Sequence, residues 1–149
     1  MKKLSAAFTL ISLLTFSGLN IVSCERSSET VSCFPESNIY VNLNLNLPAY
    51  QNLQSTGGWI YVDEQQSGSR GLIVVRTGTG FKIYDRNAPH ICPDSNTTLT
   101  VVDNIKIKCA KDNAEWILLT GQPTAVSQVA PKTYAYDYIA ASNTLTIHN

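Results

Sequence analysis

The sequence predicts an all-β fold, an antiparallel sandwich or barrel. Three observations point there. Short apolar runs rich in Thr, Val, Ile and Tyr recur at about ten-residue spacing, a density that suits pleated, half-buried strands. Turn-forming residues separate them. No run sustains the 3.6-residue period of an amphipathic helix.

Taken in order, "IYVNLNLNL" from Ile39 alternates at period two. It places Val41, Leu43, Leu45 and Leu47 on one face and Asn42, Asn44 and Asn46 on the other, and Pro48 ends it. "AYQNLQSTGG" is a connection that turns at Gly57 and Gly58. "WIYVDE" is a second strand, and "GLIVVRTG" a third, apolar enough to be buried. After the turn "TGTG", "FKIYDR" is a fourth. "TLTVVDN" and "IKIKCA" form a hairpin about Asp103 and Asn104, a turn-prone pair. "AEWILLT" is a short strand closed by Gly121, and "YAYDYIA" and "TLTIHN" make a final hairpin across residues 141–143. About nine strands result. Trp59 and Trp116 are expected in the core. Tyr134, Tyr136 and Tyr138 share a strand face and are expected to pack at its rim. Asn96 in "NTT" reads as turn chemistry, and the glycine pairs lack the strand–helix context of a phosphate loop.

The first 23 residues stand apart. Lys2 and Lys3 precede an apolar run ending in "IVSC", the order of charge, core and small residues of a secretory signal. The ending resembles the bacterial lipobox. That resemblance implies cleavage before Cys24, lipid on its sulfur, and an exported protein held on a bacterial envelope membrane by acyl chains. Residues 24–38 read as a lipidated flexible tether and residues 39–149 as the β domain. Removing residues 1–23 takes away two lysines and no acid, leaving 9 basic and 11 acidic side chains and a net charge of −2. That balance argues against nucleic acid as a partner. Three cysteines remain, most simply one bridge and one free thiol. Cys33 is expected to be the free thiol or an anchor against the domain. The few histidines assemble no nucleophilic triad, so no catalytic residue and no enzyme activity is expected.

The densest chemistry lies in "APHICPDSNTTLTVVDNIKIKCAKD", residues 88–112. His90 and Cys92 are two apart, Cys109 and Asp112 three apart, and a hairpin separates the pairs. His90, Cys92, Cys109 and Asp112 are ligand types suited to one tetrahedral zinc ion, though the His-x-Cys pair is a weak signature.

The stretch "FKIYDRNAPHICP … IKIKCAKDNAEWILLTGQPT … VAPKTYAYDY … NTLTI" resembles the Rieske iron–sulfur fold, and within it the exported lipoproteins of the Bacteroidetes type. The likeness implies an antiparallel Rieske-like β-sandwich carrying two cluster-binding loops. A Rieske cluster needs two thiolates on one iron and two imidazoles on the other. The four ligand positions fall on Ala88, His90, Cys109 and Asp112, so two ligands are missing. A second alignment keeps Cys92 and Cys109 as thiolates but puts aspartates at both imidazole positions, a poor set for this cluster. The resemblance therefore implies a degenerate site with no cofactor, and electron transfer absent or impaired. It also implies a disulfide between Cys92 and Cys109, because related domains often tie these two loops together. The alternatives are a two-iron two-sulfur cluster kept by unusual ligands, and the zinc site. An unknown protein or envelope component is the expected partner.

Overall fold

The computed structural model describes residues 29–149; the expected signal peptide of residues 1–23 and the expected lipidation site Cys24 lie outside the described residues. Ten strands follow in order: β1 (Tyr40–Asn44), β2 (Trp59–Val62), β3 (Leu72–Arg76), β4 (Phe81–Asp85), β5 (Leu99–Val102), β6 (Lys106–Cys109), β7 (Glu115–Ile117), β8 (Pro123–Ala125), β9 (Ala135–Ile139) and β10 (Thr144–His148). They form three antiparallel sheets with the orders β1-β10-β9, β2-β3-β4 and β5-β6-β7-β8. The fold is all-β and antiparallel, as expected.

The continuous apolar reading of β3 has a physical cause. Successive side chains of a strand point to opposite faces, and both faces of this strand are covered. Leu72 and Val74 join Val41, Leu43, Leu145 and Ile147 in a core shared with the sheet of β1, β9 and β10. Ile73 and Val75 join Leu99, Ile107, Trp116 and Leu118 in a second core against the four-stranded sheet. Each such side chain taken from water contributes on the order of 1.5–3 kcal/mol. The sheet of β2, β3 and β4 is therefore the middle layer of three.

Four local features depart from the expectation. The connection after β1 is a 3-10 helix, Pro48–Gln54, with proline in its first turn, where a missing N–H costs nothing. Leu47 is half exposed. The Asn46 N–H bonds the Asn44 carboxamide and the Leu47 N–H bonds the Asn44 carbonyl, so a turn breaks the alternation before Leu47 can point inward. β8 adds a tenth strand at a sheet edge, the kind of position to which a proline such as Pro123 is confined. Trp59 is only partly buried, its indole N–H reaching the Asn104 carboxamide at 2.9 Å.

The β5–β6 hairpin turns where expected. Asp103 and Asn104 both take positive φ, 52° and 58°, the geometry that follows the right-handed twist of paired strands and that Asp and Asn tolerate. Trp116 is fully buried, and Tyr134, Tyr136 and Tyr138 pack along the rim of the first core.

Residues 29–38, read from the sequence as part of a tether, are fastened to the domain. The Val31 N–H donates to the Pro89 carbonyl at 2.9 Å, and the Asn149 side chain bonds both the Ile39 N–H and the Ser37 carbonyl. Cys33 is bonded to Cys92. No helix among the described residues is long and apolar enough to cross a membrane.

Candidate functional site

Two loops meet at one end of the four-stranded sheet. The first joins β4 to β5, the second β6 to β7. The first is closed at its base by the bridge between Asn87 and Thr98 and by the Leu99 N–H on the Arg86 carbonyl at 2.8 Å. Beneath it lies Asp85, buried at the end of β4. One of its carboxylate oxygens accepts the Asn87 N–H at 2.7 Å and the Asn87 amide at 2.8 Å, and the other accepts the Tyr134 hydroxyl at 2.6 Å. A buried acid is tolerable only when hydrogen-bonded in this way. Burial, followed by the bond to Asp85, raises the Tyr134 phenol well above its usual range. Arg70 holds the far half of the loop through the Thr98 hydroxyl and the Asp94 carbonyl, both at 2.5 Å. Sequence reasoning missed this network, although an acid ending the apolar run "FKIYD" was a signal for it.

The second loop is a tight turn after Cys109. The Asn113 N–H returns to the Cys109 carbonyl at 3.0 Å, with Asn113 at a φ of 62°. This turn brings Asp112 back over the sulfur of Cys109. The Lys111 ammonium crosses to the Asp94 carboxylate and links the two loops.

The structure brings together the four positions that the resemblance assigns to cluster ligands. Ala88 and Cys109 are both buried in the second core. His90 Nε2 donates to the Asp112 carboxylate at 2.5 Å, and its ring lies edge-on to Trp116 at 5.5 Å. Since a carboxylate only accepts, Nε2 carries the hydrogen, and Nδ1 is buried without a partner. Burial works against the Asp112 charge. The bonds from His90, the Ala114 N–H and the Cys109 thiol outweigh it and hold the carboxyl below the usual carboxylate range. Burial pushes the Cys109 thiol up, and Asp112 adds to the effect, against the Lys111 and Asp112 N–H groups directed at the sulfur. A raised thiol is a poor nucleophile.

The expected Cys92–Cys109 disulfide is overturned, and of the two readings of Cys33 the anchor against the domain is the one observed. The disulfide joins Cys33 to Cys92, with Cα atoms 5.5 Å apart, and Cys109 is a free, buried thiol. The reason is geometric. Cys109 ends β6 with its side chain turned into the core, whereas Cys92 lies on the outer part of its loop beside the incoming segment of residues 29–38. The zinc set of His90, Cys92, Cys109 and Asp112 fails with it, because the Cys92 sulfur is already bonded. No group of three or more His, Cys, Asp or Glu side chains suited to a metal ion occurs among the described residues. The second cluster alignment meets the same obstacle, and its Asp94 is paired with Lys111.

These contacts define a class: an antiparallel β domain with two cross-linked loops at one end, closed around a His–Asp pair. No family model and no curated protein matches the chain. Among solved structures it is similar to the ferredoxin of carbazole 1,9a-dioxygenase from Nocardioides aromaticivorans IC177, at 16% identity and a TM-score of 0.45, over 76% of this chain and 98% of that one. It is also similar to a chain in the complex of reduced oxygenase and oxidised ferredoxin of carbazole 1,9a-dioxygenase, at 16% identity and a TM-score of 0.44, over 74% and 93%. A third is described as the small subunit of an NADH-dependent nitrite reductase from Mycobacterium tuberculosis, at 11% identity and a TM-score of 0.43, over 76% and 97%.

The donors do not fit a two-iron two-sulfur cluster. Two thiolates and two imidazoles are required. The four positions offer a buried methyl group, one thiol, one imidazole and a carboxylate already engaged by that imidazole.

The His90–Asp112 bond has a measurable signature. The folded-state pKa of Asp112 is depressed, so its stabilisation is present above the unfolded value of about 3.9 and is lost as pH falls through the lower folded value. Asp112→Asn is expected to be less stable than the parent at neutral pH, with the gap closing below about pH 4. Urea midpoints of both proteins across that range check this.

Proposed function

We propose that the chain is an exported envelope lipoprotein, acylated at Cys24, whose Rieske-like domain has lost the capacity to hold its cluster. It serves as a binding or structural module on a protein or envelope partner and carries no electrons itself. The observation that carries this reading is the His90–Asp112 hydrogen bond beside buried Ala88: the side chains at three ligand positions are engaged with one another, and the fourth is a methyl group. The Cys33–Cys92 bond adds support, since an exported compartment is one in which disulfides persist.

The test is a visible spectrum together with iron and zinc analysis of the full chain, produced where cluster assembly is competent. The expected protein is colourless and holds no stoichiometric metal. Charge-transfer bands with two irons per chain would overturn the reading in favour of a cluster kept by unusual ligands. Stoichiometric zinc without iron would overturn it in favour of a mononuclear site. The anchor is tested separately. Cys24→Ala is expected to move the protein from the membrane fraction to the soluble fraction while the spectrum stays the same.

A further inference from the structure

A cavity of about 310 Å³ lies between β4 and two segments packed over it, residues 120–121 and 130–133. It is separate from the His90–Asp112 loops, and its volume is at the small end of ligand pockets. Tyr84 and Lys82 line it from β4. They are two apart and so project from the same face of the strand. Tyr84 is 1% exposed, and its hydroxyl is buried with no hydrogen-bond partner. Such hydroxyls are almost always paired, and one left orphaned calls for an explanation. Gly121 makes room for the phenol. A side chain there would meet the ring edge at 2.9 Å and the hydroxyl at 3.2 Å, and Gly121 holds a φ of +74° that L residues rarely adopt. Lys132 lines the opposite wall, and Ala130 and Pro131 supply an apolar one. Neither lysine has an acidic partner among the described residues.

We propose that this cavity binds a small organic carboxylate. The Tyr84 hydroxyl donates to one carboxylate oxygen, Lys82 and Lys132 neutralise the charge, and Ala130 and Pro131 face the ligand's apolar part. Burial raises the Tyr84 phenol well above its usual range, so the group stays an O–H donor through the physiological range. A hydrogen bond to a charged acceptor is stronger than one between neutral groups. The ligand would thus satisfy a donor that the fold leaves unpaired. The site is independent of the reading of the His90–Asp112 loops.

The experiment is NMR of the full chain in neutral detergent, labelled at glycine, titrated with sodium acetate, sodium benzoate and inorganic phosphate against sodium chloride. Benzoate and acetate are expected to move the Gly121 amide saturably, benzoate at the lower concentration, while Gly57, which does not line the cavity, stays still. Tyr84→Phe is expected to weaken benzoate binding about 10-fold or more, the size of one charge-assisted bond. Lys82→Ala with Lys132→Ala alters only exposed side chains and is expected to weaken it comparably. No saturable shift with either carboxylate would overturn the proposal, as would undiminished binding by Tyr84→Phe. Tighter binding of phosphate than of benzoate would overturn the carboxylate assignment.

Discussion

Trp116→Ala is expected to destabilise the domain by about 3–5 kcal/mol, the range for removing a large aromatic from a packed core. Trp116 has no exposed surface and lies on β7 in the core shared with the middle sheet. Its ring supports His90 from below at 5.5 Å, so the loss reaches the site as well as the core. Its indole N–H donates to the Val129 carbonyl at 2.8 Å, an oxygen that also accepts the Ser127 hydroxyl at 2.9 Å. The carbonyl thus keeps one partner when the indole is removed, and most of the cost is cavity and lost contact. Trp116→Phe separates the two contributions. It restores much of the volume without the N–H and is expected to lose less than about half as much. Thermal unfolding followed by circular dichroism checks this, with a fall in Tm of roughly 10–20 °C for the alanine variant. A fall within a degree or two would mean that Trp116 does not hold the two layers together.

Removing the Cys33–Cys92 bond is expected to have an effect of similar size. The bond closes a loop of 59 residues, and the chain-entropy relation assigns a closure of that length about 4 kcal/mol. Cys33→Ser with Cys92→Ser is expected to lower the denaturant midpoint accordingly and to free residues 29–38 from the domain. Limited proteolysis would then cut within that segment, although the Val31–Pro89 and Ser37–Asn149 hydrogen bonds remain available. Cys109→Ser serves as the counterpart. It is expected to leave the bridge intact, as peptide mapping under non-reducing conditions would show. A mapped Cys92–Cys109 peptide in the parent would reverse the assignment of the free thiol and reopen the packing of the second loop.

Both expectations concern long-range contacts, and there the sequence and the structure part company. Strand positions were legible because alternation is local: Val41, Leu43 and Leu45 show their buried face within one short run. The burial of β3 on both sides was equally legible, since four successive apolar residues admit few other readings. The turn at Asp103 and Asn104 carried its own chemistry. Leu47 misled because a hydrogen-bonded turn ends the strand while the apolar pattern runs on. β8 escaped because three residues containing a proline carry too little pattern.

The candidate site was legible as a set of residues and not as a set of bonds. The sequence alone determined an all-β domain with middle-strand residues buried on both faces, and it singled out residues 88–112 as the chemical centre. Only the tertiary structure decided that Cys92 joins Cys33, that Cys109 stays a buried thiol, and that His90 holds Asp112. Periodicity records which way a side chain points from its own strand. Which partner it meets depends on where distant segments return, here across 59 residues for the disulfide and 22 for the His–Asp pair.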